Sequence, residues 1–222
     1  TLAWCIKQEA AFNFNSVRTP NGSMTLATWL QRLQANFEPS FWLPAGGYYR
    51  DCLGSGDAED ESCRPNYLVA MSIAKDLLFN QPEHACQALA TAEQWLVAPL
   101  GMRTLSPGDP RYRPDYHLQP ESSDYATSGG FNYHNGPEWL WPLGPYLSAC
   151  LHFIPPPNGN PALLRQMIYN RLQPHRLELQ KSAWRGLPEL TNRDGAYCAD
   201  SCRTQAWSMA CLLEVLWDLS RH

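Results

Sequence analysis

The sequence is most distinctive at residues 129–146, which read GGFNYHNGPEWLWPLGPY. This segment holds two tryptophans, three other aromatic residues, one His and one Glu. Turn-forming residues at its start lead to Pro137, a residue type favoured at the first position of a helix. The segment therefore predicts either an aromatic helix that supplies a core or the rim of a concave site for a polar ligand. In such a site the rings stack on the ligand, and His134 and Glu138 orient it.

The overall composition favours a large interior and a site for neutral polar molecules. The 222 residues are enough for one large domain or two small ones. Charged residues make up only 17%, whereas tryptophan and tyrosine number nine and ten. A net charge of −4 without a Lys/Arg cluster disfavours nucleic acid and anionic membranes as partners. Residues 139–164 carry no charge, but their prolines interrupt the stretch, so no membrane-spanning segment is predicted.

The eight cysteines are interpreted as thiols of a reducing, cytoplasmic setting. Cys86, Cys150 and Cys211 lie in helical apolar patterns, which is typical of buried free thiols. Cys198 and Cys202 form a C-x3-C pair without a matching His/Cys pair nearby, so a zinc site is disfavoured. The sequence predicts no metal and no organic cofactor.

Apolar residues at helical spacing predict about seven helices and no convincing strand pair, hence an all-α fold. The clearest stripe predicts a helix that Ser23 caps and Pro39 stops, with Leu26, Trp29, Leu30, Leu33 and Phe37 on one face. Further helices are expected at residues 66–79, 83–97, 137–153, 161–184 and 203–219, with the end of another at 2–12.

Three of these helices carry more detailed expectations. Pro142 and Pro145 should kink the helix at 137–153 early, and Pro174 should interrupt the helix at 161–184. The helix at 203–219 is apolar nearly all round, which predicts burial on several sides.

The connections alternate between short and long. The long loops span residues 40–63, 100–130 and 186–201, and they are expected to gather on one face. The first includes an acidic run that is expected to be a solvated loop, at Asp57, Glu59, Asp60 and Glu61. This arrangement is compatible with half of an α/α toroid or with a free-standing helical bundle.

Two glutamates suit the hydrolysis of a neutral, hydroxyl-rich substrate, which requires a pair of carboxylates that flank the bond. Glu138 follows Pro137 within the aromatic segment, and Glu189 follows a proline in residues 184–192. Each glutamate also has a purely structural interpretation. For Glu138 this is the first turn of a helix, where an acidic side chain is favourable. His134 is either a ligand to a hydroxyl group or a histidine satisfied at a helix entry.

Several segments resemble the C-terminal amylo-α-1,6-glucosidase domain of eukaryotic glycogen debranching enzymes. The resemblance is carried by FNYHNGPEWLWPLG (131–144), GLPELTN (186–192) and SCRTQAWSMACLLE (201–214). RPNYLVAMSIAKDLL (64–78) and PLGMRTLSPGDPRY (99–112) are similar to upstream pieces of the same domain. The similarity runs over essentially the whole chain in the same order.

The resemblance implies an (α/α)6 barrel that removes the glucose left at a glycogen branch point by inversion, with one acid and one base. It makes Glu189 the general base and places the acid in a Trp-Met-Asp segment that this sequence lacks. Residues 1–222 would then be the C-terminal part of the glucosidase domain, roughly half of the barrel. The general acid, the rest of the barrel and a 4-α-glucanotransferase domain would lie upstream, so the chain alone is expected to have little or no activity.

The expected substrate site takes its residues from the resembling segments. The implied substrate contacts are Arg64, Asn66, Tyr133, His134, Glu138, Trp139 and Trp141, with Arg64 and Asn66 included on position alone. The implied partners are glycogen or an α-glucan limit dextrin and the N-terminal part of the enzyme, in a cytoplasmic, glycogen-associated setting. The alternative is a non-catalytic glycogen-binding module of the same fold.

Overall fold

A computed structural model describes residues 16–54, 61–118 and 127–221. Within these ranges the regular structure is mostly helical. The seven α-helices described there are α1 (Leu26–Phe41), α2 (Tyr67–Ile73), α3 (Lys75–Leu78), α4 (Pro82–Trp95), α5 (Leu143–Phe153), α6 (Pro161–Lys181) and α7 (Ala206–Arg221). The expected helix at 2–12 and the acids at 57, 59 and 60 lie outside the described residues.

Short strands form three small antiparallel sheets, which corrects the expectation that no strands pair. The strands are β1 (Ser16–Thr19), β2 (Gly22–Thr25), β3 (Trp42–Leu43), β4 (Tyr48–Tyr49), β5 (Met102–Arg103), β6 (Glu138–Trp139) and β7 (Leu190–Thr191). Strand β1 pairs with β2, β3 pairs with β4, and β6 lies between β5 and β7. Strands of two to four residues are too short for an alternating apolar pattern to reveal them.

The main core lies between helices α2, α4, α5, α6 and α7. Helix α4 contributes a buried face of small residues and one leucine, namely Ala85, Ala88, Leu89 and Ala92. Helices α5 and α7 approach closely, because a Cβ added to Gly144 would lie 2.6 Å from Cys211 Cβ. The seven cysteines in the described ranges are free thiols; Cys150 and Cys211 are buried, and Cys86 is partly buried. This agrees with the interpretation of these three as thiols in helical apolar patterns.

The ends of α1 differ from the sequence-based prediction. Thr25 caps the helix, not Ser23, and its side chain accepts a hydrogen bond from Thr28 N–H. Helix α1 also continues past Pro39 to Phe41. A proline in the last turn costs the helix one hydrogen bond without ending it.

Two other expected helices are also altered. The expected helix at 66–79 is divided into α2 and α3 at Ala74, whose φ and ψ are −110° and 23°. The expected interruption near Pro174 is wrong, because α6 runs through that residue to Lys181.

The aromatic segment does not begin a helix at Pro137, because strand β6 follows that residue. Helix α5 starts at Leu143, with Pro142 as its N-cap. Pro145 therefore lies in the first turn, where backbone N–H groups have no partner within the helix. The expected kink is consequently wrong, since these prolines occupy positions that α-helices tolerate.

Helix α7 is amphipathic and not buried on several sides within the described structure. Its buried residues are Ser208, Cys211, Leu212, Val215 and Leu219. Leu213, Leu216 and Trp217 on the same helix are exposed. No helix in the described ranges is both long and apolar enough to span a membrane.

Candidate functional site

The first part of the aromatic segment is a 3-10 helix, Ser128–His134, and a tight turn links it to β6. Gly136 makes this turn with a φ of +149°. A Cβ at Gly136 would lie 2.2 Å from Arg113 O, so no other residue fits without backbone movement. The Gly136 N–H donates to Thr104 Oγ1 at 2.9 Å. The sharp turn brings His134 back over the strand that follows it.

Arg64 anchors this turn from the segment that precedes α2. Its guanidinium donates to the carbonyl oxygens of His134 (2.7 Å) and Thr104 (3.2 Å). It also donates to Asn135 Oδ1 at 2.8 Å. A planar guanidinium suits such a set of acceptors because its N–H groups are held in fixed directions. The contacts of Arg64 therefore set the position of His134.

Trp139 packs against the rings of Tyr133 and His134, and these three residues form the aromatic cluster. Its indole N–H donates to Tyr133 O at 2.9 Å, and the side chain is nearly buried. The His134 ring stacks on Trp139 at 5.0 Å and 27°, and the Tyr133 ring meets it edge-on at 4.7 Å and 71°. These mutual contacts hold the rings of the segment in a single arrangement.

A cavity of about 240 Å³ opens beside this cluster. Its lining includes five of the residues predicted as substrate contacts, namely Arg64, Asn66, His134, Trp139 and Trp141. Asn66 donates to Asp51 Oδ2 at 2.8 Å, which orients its amide at the cavity. Thr104, Pro142 and Trp207 also line the cavity. The cavity combines aromatic faces with a few polar groups, as small-molecule sites in proteins do.

Glu189 lies on the loop that leads into β7, close to the aromatic cluster. Its N–H donates to Cys202 O at 2.9 Å, and its carbonyl accepts from Leu140 N–H at 3.2 Å. The Gln205 side chain donates to Glu189 Oε1 at 2.9 Å, which orients the carboxylate. Backbone and side chain are therefore both held in place.

The Glu189 carboxylate faces the aromatic segment. The pKa of the Tyr133 hydroxyl is raised by burial and by a hydrogen bond to Glu189. The pKa of His134 is lowered by burial and by Arg64, whereas Glu189 acts in the opposite direction. Both effects require the carboxylate to be close to these rings. The structure thus brings Glu189 and the cavity residue His134 together.

Glu138 is enclosed, in contrast to Glu189, and its side chain has no exposed surface. Oε1 accepts from Asp194 N–H at 2.9 Å, and Oε2 accepts from Gly195 N–H at 2.9 Å and Thr191 Oγ1–H at 3.2 Å. Burial raises the pKa of the Glu138 carboxyl, and these hydrogen bonds oppose the shift. The carboxylate offers no surface to a ligand, and its place in β6 corrects the expectation of a helix start.

The turn that Glu138 binds is shaped to accept an anion. Asp194 and Gly195 have φ angles of 58° and 76°, so their N–H groups converge on the carboxylate. Arg103 on β5 lies 3.9 Å from Glu138 Oε1 and 3.8 Å from Asp194 Oδ1. Glu138 therefore ties strand β6 to the turn that follows β7.

Gln205 and Trp207 belong to the site although the sequence did not single them out. Gln205 N–H donates to Leu187 O at 2.9 Å, which ties the start of α7 to the Glu189 loop. Both residues lie in SCRTQAWSMACLLE, one of the segments that carry the resemblance, and this was the available signal. No group of three His, Cys, Asp or Glu residues suited to a metal occurs in the part of the chain that the structure describes.

Comparison with known proteins gives two findings. Residues 5–214 match the family described as amylo-alpha-1,6-glucosidase. The chain is also 42% identical, over 96% of its own length, to a protein of Saccharomyces cerevisiae named glycogen debranching enzyme. The matched region covers 16% of that yeast protein, so this chain spans only a small part of its relative.

Proposed function

The chain belongs to the amylo-alpha-1,6-glucosidase family, and from this premise we propose that it forms part of a glycoside hydrolase. The hydrolase removes the single α-1,6-linked glucose left at a glycogen branch point. Its reaction inverts the anomeric configuration and takes place in the cytoplasm on glycogen or a limit dextrin. The 222 residues contribute the C-terminal part of an (α/α)6 barrel.

The observation that supports this function is the position of Glu189 close to Tyr133 and to His134, which lines a small aromatic cavity. Gln205 donates a hydrogen bond that orients the carboxylate, and the negative charge of Glu189 acts to raise the pKa of His134. The cavity of about 240 Å³ is small, which suits a ligand of the size of a single sugar.

In the proposed reaction Glu189 is the general base. It accepts a proton from a water molecule whose oxygen attacks the anomeric carbon of the stub. The bond between that carbon and O6 of the main-chain glucose breaks, and a general acid protonates O6. Attack from the face opposite the leaving group inverts the anomeric centre, which requires roughly 6.5–9.5 Å between the two carboxyl groups.

The other predicted site residues have binding or positioning roles. His134, Trp139, Trp141 and Asn66 line the glucose cavity, and Tyr133 contacts the base. Arg64 sets the position of His134 through the turn that it anchors. Glu138 acts through the structure, because it links β6, which carries Trp139, to the turn after β7.

The general acid is proposed to come from outside these 222 residues. The sequence contains no Trp-Met-Asp segment, which is where the family resemblance places the acid. The partner of this chain is therefore the N-terminal part of the enzyme. We expect the isolated 222 residues to release little or no glucose from a branched limit dextrin.

The decisive experiment replaces Glu189 by Gln in the full-length protein that carries this chain. Glucose release from a limit dextrin should fall about a thousandfold, because water is no longer deprotonated. Cosedimentation with glycogen and any transfer of glucan chains should be unchanged. Glu214→Gln, at an exposed position on α7, is the matched control. An active Glu189→Gln variant would disprove the assignment of the base.

The same experiment distinguishes the alternative of a glycogen-binding module. The absence of a Trp-Met-Asp segment from this sequence is the observation that favours this alternative. In that case the wild-type full-length protein sediments with glycogen and releases no glucose. Glu189→Gln then changes neither property.

A further inference from the structure

The proposed glucose cavity continues into a pair of parallel tryptophans, Trp141 and Trp207. On the basis of the proposed function, we infer that Trp207 is a stacking surface for the glucan chain that carries the glucose stub. Trp207 thereby determines specificity for a branched glucan over a small glucoside.

The two indole rings lie face to face. Their centroids are 4.4 Å apart and their planes differ by 9°. Trp141 directly follows the Leu140 position that pairs with Glu189, and Trp207 lies in the first turn of α7. Both line the cavity, so the pair begins inside the site and extends out of it.

Trp207 remains half exposed although one of its faces covers Trp141, since 50% of the residue is accessible. The Trp139 surface of the cavity is less open, because that residue is only 5% exposed. Flat aromatic faces stack on the C–H faces of sugar rings, whose hydroxyl groups point outward. An exposed indole at the rim of a cavity for one sugar is therefore placed to hold the next sugar.

The position of Trp207 is coupled to that of the base. Gln205, two residues earlier, donates to Glu189 Oε1 at 2.9 Å. Gly186 and Thr204 lie so close that a Cβ on Gly186 would be 2.3 Å from Thr204 Cγ2, which fixes the start of α7 against the Glu189 loop. The stacking surface and the base are thus parts of one local unit.

The proposed reaction explains why a second surface is needed. The stub is bonded to a main-chain glucose, so a stub bound in the cavity of about 240 Å³ brings that neighbour next to the residues that line it, which include Trp207. That unit is the leaving group of the proposed reaction, and its binding affects only substrates that contain it. A glucoside without a sugar leaving group meets only the part of Trp207 that lines the cavity and leaves its exposed face uncovered.

The test compares two substrates in the full-length protein that carries this chain. The first is a branched limit dextrin, and the second is α-D-glucosyl fluoride, which has no sugar leaving group. Trp207→Ala should raise KM for the limit dextrin about tenfold, as expected for the loss of one aromatic stacking contact. KM for the fluoride should rise by a smaller factor, about threefold at most, because the fluoride meets the part of Trp207 that lines the cavity but lacks the sugar that would stack on its exposed face.

Two further variants make the result specific. Trp207→Phe keeps a flat face and should recover part of the affinity for limit dextrin. Trp217→Ala is the matched control, because Trp217 is on the same helix and is 62% exposed. It lies about ten residues further along α7, about 15 Å from Trp207 along the helix axis. It should leave both substrates unchanged.

Every outcome bears on the inference. Equal losses on both substrates would show that Trp207 acts only through the glucose cavity that it lines and would overturn the inference, as would no loss on either. The wild type reports separately on the proposed function. A wild type that hydrolyses neither substrate refutes the hydrolase and the stacking surface together, whereas an active wild type with an unaltered Trp207→Ala variant refutes only the stacking surface.

Discussion

The helical core and the region around β5, β6 and β7 are stabilised by different kinds of contact. In the core, helices α4, α5 and α7 meet through apolar side chains and close backbone approaches such as Gly144 against Cys211. Around the small sheet, buried polar groups bind backbone atoms, as Glu138 binds Asp194 and Gly195 N–H. The stability of the core depends on how closely its side chains fill the available volume. The stability of the sheet region depends on a hydrogen-bond partner for each buried polar atom.

This difference indicates where a conservative substitution does most harm. In a packed core, removal or addition of a methyl group changes stability by about 1–3 kcal/mol. In the sheet region, exchange of one oxygen of the buried Glu138 carboxylate for NH2 leaves one or two donors without an acceptor. The largest effect is therefore expected from a change that barely alters volume.

Glu138→Gln should have the largest effect of the three changes considered next. The amide NH2 cannot accept from the peptide N–H groups that converge on the carboxylate, and the negative charge near Arg103 is lost. We expect a loss of about 3 kcal/mol in the local opening free energy of the turn at Asp194 and Gly195. Their amide hydrogen exchange should become about 100-fold faster, since 1.4 kcal/mol is a factor of ten.

Two further measurements define the role of Glu138. Glucose release should also fall, mainly through kcat. Glu189 directly precedes strand β7 and the turn at Asp194 and Gly195 directly follows it, so a loosened turn would displace the base. Glu214→Gln, exposed on α7, should alter neither exchange nor glucose release. Unaltered exchange at Asp194 and Gly195 in Glu138→Gln would show that the carboxylate does not hold the turn.

Gly144→Ala tests the close approach of α5 to α7. The new Cβ would lie 2.6 Å from both Cys211 Cβ and Cys211 O, so the helices must separate. This should cost about 2 kcal/mol, despite the better helix propensity of alanine. Amide exchange in α5 and α7 should become about 30-fold faster.

Gly108→Ala provides the control for this substitution. Its nearest neighbour would be Ser106 Oγ at 3.7 Å, which is an ordinary contact. The change should be within about 0.5 kcal/mol of neutral. If Gly144→Ala were equally neutral, the core would be able to absorb a methyl group at the α5–α7 contact.

His175→Gln should have the smallest effect, and the effect should depend on pH. Burial lowers the pKa of His175, whose Nε2 lies 2.7 Å from Leu100 O in the core. The unfolded chain therefore takes up this proton first, and stability is lost as pH falls below about 6.5. A glutamine side chain at this position would keep a donor toward Leu100 O and would not titrate.

Urea titrations at about pH 7 and about pH 5, followed by tryptophan fluorescence, measure this contribution. The decrease in midpoint between the two pH values should be smaller for His175→Gln than for the wild type. His117→Gln serves as the control, since the His117 side chain is 64% exposed. An equal decrease in the wild type and His175→Gln would mean that this histidine does not contribute to acid sensitivity.

The comparison also explains which structural features were predictable. Helices α1, α4, α6 and α7 lie close to the predicted ranges, because each covers several turns and repeats its apolar positions. Strands β5, β6 and β7 were not predicted, because they have two residues each and their pairing depends on distant partners. Thus Pro137 was assigned to a helix, although the strand that contains Glu138 follows it.

The candidate site, like the fold, was predicted in part. Five of the predicted contact residues line one cavity, and the resemblance of GLPELTN marked Glu189. The enclosure of Glu138 could not be predicted, because its partners lie more than fifty residues further along the chain. Gln205 was missed although it is only 16 residues from Glu189, since its bond to Glu189 requires the start of α7 to fold back on the loop.

By itself, the sequence determined the family, the mainly helical composition and the segments that supply the site. These properties follow from motifs and from local periodicity, which need no knowledge of distant contacts. The resemblance marked Glu189 as the base, but only the tertiary structure showed how differently the two glutamates are surrounded. It enclosed Glu138 among backbone donors and held Glu189 beside Tyr133 and His134, because burial and hydrogen bonding are set by chain segments that are far apart in sequence.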